Sequence, residues 1–151
     1  MEFYSVDAKP FKRIYFQSIA YNVVGILAAF TLVRNGFFIL PRTFTSEGIV
    51  WGLIGLFIVL NMQHTRRVKS KMAEMSILED FESKVQAYEK IFRFRTMWFL
   101  FACLLSCMLF VITSRTTFLY WSIIDLIFLL PLYPGLTFLK KELGNDDIIL
   151  Y

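Results

Sequence analysis

A chain of 151 residues would suit one soluble domain by length, but 57% of these residues are apolar, 17 are Phe and the mean hydropathy is +0.57. Charged residues make up 19%, below the roughly 25% of soluble domains. They lie in blocks between runs that reach the roughly 20 helical residues needed to cross a hydrocarbon core. The net charge of +4 resides in cations flanking those runs, not in a polar module with stacking aromatics, which excludes nucleic acid as the partner.

The first run, residues 14–33, follows Lys9, Lys12 and Arg13. It is longer than the apolar part of a secretory signal and further runs follow, so an uncleaved first helix is expected. A second run covers 44–62, with Glu47 and Gly48 at its outer edge and its strongest core over Ile49–Leu60. Gly48 and Gly52 form a Gly-x-x-x-Gly spacing that Gly55 extends, a surface suited to close helix approach.

Between Met62 and Arg95 the chain has no Gly and no Pro. Val68, Met72 and Met75, then Phe81, Val85, Tyr88 and Phe92, recur at helical spacing. Ser76 followed by Glu79 fits a capping box, with Asp80 and Glu82 adding negative charge to a new first turn. The segment therefore reads as a helical hairpin, one arm ending near Met75 and the other starting near Ile77. Glu74, Glu79, Asp80 and Glu82 cluster at its tip as candidates for partner binding. The basic residues gather toward its base, which favours protrusion over lying flat on anionic lipid. His64, beside Asn61, Gln63, Arg66 and Arg67, reads as an interfacial residue.

The third run, 96–113, holds Ser106 and both cysteines, Cys103 and Cys107, one helical turn apart. They read as small packing residues, and a single histidine leaves no zinc cluster. The fourth run, 117–139, carries Asp125 near its middle and Pro131, Pro134 and Gly135 in its later half. A carboxylate at that depth costs a few kcal/mol on insertion scales, so it should face protein or water. Ser122, Ser106 and Asn22 are its candidate neighbours. It would serve as a hydrogen-bonding strut between helices or as a proton or cation site. The prolines remove backbone donors and predict a kink or unwound stretch.

Runs of this kind lack the alternation of barrel strands and are helices. With both termini inside, thirteen Lys and Arg fall on the inner side and Arg34, Arg42 and Arg115 outside, a strong positive-inside bias. Trp51, Trp98, Trp121, Tyr15 and Tyr120 stand near run ends as interfacial anchors. The sequence thus predicts an all-α integral membrane protein of one domain, residues 1–151. It would have four transmembrane helices, a cytoplasmic helical hairpin between the second and third, and both termini cytoplasmic in the inner (plasma) membrane.

Nucleotide loops, zinc-helix motifs and a compelling nucleophilic triad are absent from the sequence. The expected role is a non-enzymatic assembly or interaction subunit acting through the hairpin, without cofactor or metal. Its partners would be the lipid bilayer and either a second copy or another membrane or cytoplasmic protein. The alternative is an oligomeric ion channel or small transporter using Asp125.

Overall fold

The computed structural model describes residues 4–37 and 46–151. The predicted start of the second run at Phe44, and Arg42 before it, lie outside the described residues. Five α-helices carry the fold: α1 (Lys9–Arg34), α2 (Glu47–Ser76), α3 (Phe81–Thr113), α4 (Thr116–Leu129) and α5 (Leu136–Leu143). Two three-residue strands, β1 (Tyr4–Val6) and β2 (Ile148–Leu150), flank them. By length and composition α1, α2 and α3 could each cross a membrane, and α4 with α5 makes a fourth candidate if the bent pair counts as one span.

Local chemistry sets each boundary. Pro10 opens α1, where its missing N–H costs nothing. The helix closes on Gly36, whose φ of +82° lets the Phe37 amide turn back to the Leu32 carbonyl. At α2 the Ser46 hydroxyl accepts from the Ile49 amide. At α3 the cap is Asp80, whose Oδ2 accepts from the Ser83 amide at 2.9 Å and the Ser83 hydroxyl at 2.6 Å.

The expected Ser76 capping box does not form. The Ser76 hydroxyl donates back to the Ala73 carbonyl, and α2 runs through Ser76. The four residues 77–80 make the turn, so the second arm starts at Phe81 and not near Ile77. An ionised carboxylate is the stronger acceptor for an orphan amide, and Asp80 outcompetes the serine for the role.

The fourth run is broken more sharply than a kink. After α4 the chain tightens into a 3-10 turn over Leu130–Leu132, and α5 departs at 83°. Residues 117–139 are therefore not one straight helix. Pro131 and Pro134 cannot donate to the carbonyls of Ile127 and Leu130, and shorter bonds from Leu130 N and Tyr133 N take those acceptors instead.

Two cores result. One joins Ala29, Val50, Ile54, Cys103, Cys107, Phe110 and Phe118 toward the α3–α4 turn. The other lies at the end that bears both chain termini. There Phe11 packs on Tyr88 and Phe92, with ring centroids 5.7 and 5.5 Å away. Val6, Leu139, Leu143 and Ile148 close over them. β1 and β2 pair in parallel, Tyr4 opposite Ile148 and Val6 opposite Leu150. The Tyr4 ring lies tilted against Phe81, 4.4 Å between centroids, and Arg95 reaches Glu142 of α5 at 3.6 Å. The second arm is thus bound by both chain ends, which the sequence pattern did not disclose.

The glycines divide unexpectedly. A Cβ on Gly25 would stand 2.7 Å from Leu104 Cδ2, so the close approach is between α1 and α3. At Gly52 and Gly55 an added Cβ would meet nothing within 4 Å, and at Gly48 only Ser46 Oγ at 4.0 Å. Among the described residues, the Gly-x-x-x-Gly surface makes no close helix contact.

Candidate functional site

One face of α4 is buried at Phe118, Ser122, Asp125 and Leu129, spaced four, three and four. Asp125 is therefore on the packed stripe, 4% exposed, and does not face outward. Ser122, Ser106 and Asn22 are also buried. On α1 the stripe runs through Tyr15, Ser18 and Asn22, and on α3 through Cys103, Ser106 and Cys107.

Two cross-ties fix the relative heights. The Tyr15 hydroxyl bonds the Leu130 carbonyl. From there Asn22 lies about 10 Å along α1 and Asp125 about 8 Å back along α4, the same depth to within about 3 Å. On the other side, Cys107 lies within hydrogen-bonding reach of Ser122 and of Cys103, and Asp125 is close enough to act electrostatically on both cysteines. The predicted polar set is accordingly gathered where α1, α3 and α4 meet.

Among the described residues no hydrogen bond joins Asp125, Ser122, Ser106 and Asn22 to one another. The Ser122 hydroxyl donates to Leu119 of its own helix at 2.7 Å. Asp125 Oδ2 and both amide atoms of Asn22 are buried without a protein partner. Orphaned buried polar atoms of this kind demand a partner such as water, a proton or an ion. Among the described residues, no cluster of His, Cys, Asp and Glu fit for a metal occurs.

The second predicted set stands far from the first, at the α2–α3 turn. Glu74, Glu79, Asp80 and Glu82 are all exposed. Glu74 accepts from Ser70 at 3.3 Å. The Ser83 hydroxyl and amide hold the Asp80 carboxyl below its ordinary range. Between these acids Ile77 is 80% exposed and Leu78 38%. That apolar pair escaped the sequence reading, because turn residues belong to no helical seam.

Nearer the bundle, His64 stacks on Trp98 at 4.7 Å with the rings 9° apart, and Asn61 accepts from the Trp98 indole at 2.7 Å. His64 is thus a packed residue tying α2 to α3. Tyr88 carries a buried hydroxyl without a protein partner, and burial pushes its pKa up. Pro131, Pro134 and Gly135 shape the break that turns α5 aside, and Pro134 is buried.

Comparison of the chain with protein-family models, curated proteins and solved structures returned no significant match.

Proposed function

We propose that the chain is a multi-pass protein of the inner (plasma) membrane, with both termini cytoplasmic, acting as a non-enzymatic assembly or interaction subunit. Three long apolar helices and a broken fourth supply the anchor. The positive-inside bias assigns the end bearing both termini to the cytoplasm. There the α2–α3 hairpin, the paired strands and α5 make one folded platform around Tyr88, Phe92 and Leu139.

The observation that carries the reading is the exposed pair Ile77 and Leu78, framed by four exposed acids at the turn. A solvated turn has no need of isoleucine, whereas an apolar centre with a charged rim is the anatomy of an interface. A partner with a basic, partly apolar surface fits it, whether a second copy or another membrane or cytoplasmic protein.

A photo-reactive residue at Ile77 should give one discrete adduct in intact cells. Reversing the rim with E79K/E82K should abolish that adduct, and a probe at Arg66 should give none. Equal labelling from both positions would refute the interface. Single cysteines should react from the cytoplasmic side at Glu79 and from the outer side at Thr117; the opposite pattern would overturn the topology.

A second reading rests on the unpaired atoms of Asp125 and Asn22: a proton or cation site in an oligomeric channel or small transporter. Flux in proteoliposomes that D125N abolishes would favour it over the interface reading.

A further inference from the structure

A groove of about 610 Å³ runs between α1 and α3 at the end bearing the termini. Its lining changes along its length. Lys9, Arg13 and Arg93 stand at the rim, while Ile14, Met97 and Leu100, together with Gln17, Ser18 and Tyr21, line the rest. The change falls where the sequence places the water boundary of the first and third spans, just before Ile14 and Thr96. We infer that this groove binds a phospholipid with an anionic headgroup, its phosphate among the three cations and one acyl chain along the apolar floor. The inference rests on the membrane placement proposed above.

The charge balance favours an anion. Asp7 is the acidic residue in the lining, and its Oδ1 is occupied by the Lys9 amide at 2.9 Å. Arg93 contacts Glu89 through one nitrogen, Nη2, at 3.0 Å, and its side chain is 62% exposed, so other donors of its guanidinium remain for a phosphate. The first turn of α1 itself holds no acidic residue, and Asp7 just before it is engaged with the Lys9 amide. A free inorganic anion would use the rim alone. Ile14, Met97 and Leu100, with Gln17, Ser18 and Tyr21 among them, make a lining that matches a ligand charged at one end and mainly hydrocarbon at the other.

Native mass spectrometry of the purified full-length chain in mild detergent tests this. Dioleoylphosphatidylglycerol and dioleoylphosphatidylcholine would be added separately at equal concentration. The anionic lipid should be retained in preference, and each cation removed should weaken retention roughly fivefold. R13Q/R93Q should therefore lose most of it. R66Q/K69Q, which removes two equally basic residues of α2 outside the groove, should leave it unchanged. M97W keeps every cation but obstructs the floor, and should weaken retention of the anionic lipid too.

Equal retention of the two lipids would overturn the inference. So would equal loss in R13Q/R93Q and R66Q/K69Q, which would mark bulk charge alone. Displacement by inorganic phosphate, with M97W behaving as wild type, would mark a simple anion site and also overturn it. Release of the chain from native membranes by alkaline carbonate would refute the membrane placement itself, a result read separately from lipid selectivity.

Discussion

The Tyr15 hydroxyl donates to the backbone carbonyl of Leu130 at 3.0 Å, joining residues 115 positions apart. The bond follows from Pro134. A helix continuing through that position would satisfy Leu130 from residue 134, and proline has no N–H to give. Tyr133 N reaches the same carbonyl at 3.3 Å, and Tyr15 fills its other lone pair from α1. The break in the fourth run is thus bound to the first helix.

Y15F keeps the edge-to-face contact with Tyr133, 5.5 Å between centroids, and loses only the hydrogen bond. The expected cost is about 0.6–1.7 kcal/mol, between the average and the largest value found for interhelical hydrogen bonds of membrane helices. Thermal unfolding followed through the buried thiols of Cys103 and Cys107 should show a midpoint lower by a few degrees. An unchanged midpoint would mean that the tie contributes nothing.

Replacing Asp125 separates its two readings. D125N keeps the shape and the capacity to hydrogen-bond, so folding should survive with little loss. D125L withdraws a hydrogen-bonding group at the depth of Asn22, whose amide atoms have no protein partner among the described residues, and should destabilise by about 1–2 kcal/mol, the cost of leaving a buried polar group unsatisfied. A D125L protein as stable as wild type would remove the polar cluster from the packing of the bundle.

Asp80 gives a pH dependence of defined sign. Its folded-state pKa is depressed by the Ser83 hydroxyl and amide, so the unfolded chain takes up protons first as pH falls. The cap is fully present above the ordinary carboxylate value and is lost only as pH drops through the lowered one. Protection of the Ser83 amide, measured against the intrinsic exchange rate at each pH, should be high at neutral pH and fall in that acid window. In D80A protection should be low throughout, and high protection there would show that the turn needs no cap.

I148A tests the closure of the chain ends. Ile148 is 2% exposed, and such a truncation costs about 2 kcal/mol or more where the surroundings cannot relax. A three-residue strand can also fray, so the loss should be local. Limited proteolysis should cut the β1 and β2 segments of I148A while sparing the α1–α4 bundle. Resistance equal to wild type would count against the strand pair as a latch.

The helices were legible because length and hydropathy suffice to find them. The uninterrupted 62–95 segment likewise told where two long helices continue beyond their apolar cores. The seams at Val68 and Met75 and at Tyr88 and Phe92 turned out to be the buried faces. Direction was less legible. Pro131, Pro134 and Gly135 announced a break, but composition counts residues and not headings, so 117–139 read as one run although α5 leaves at 83°. The strands were invisible, since three residues carry no period and their pairing joins opposite ends of the chain. Capping was ambiguous because Ser76 and Asp80 both precede plausible first turns. Among polar residues the sequence named Asp125, Ser122, Ser106 and Asn22, and each of the four is buried. It had no means of telling that their atoms would lack direct bonds to one another.

The parallel pairing of β1 with β2 also dictates an order of events during synthesis. Val6 is translated before the long helices and Ile148 after all of them. The core around Tyr88 and Phe92 cannot be sealed until β2 has left the ribosome. Until then the apolar face of the second arm stays open, and the leading strand waits without a partner. Arrest of translation before Ile148 should therefore leave a chain with a formed bundle and an unlatched platform, a state that the finished protein does not occupy.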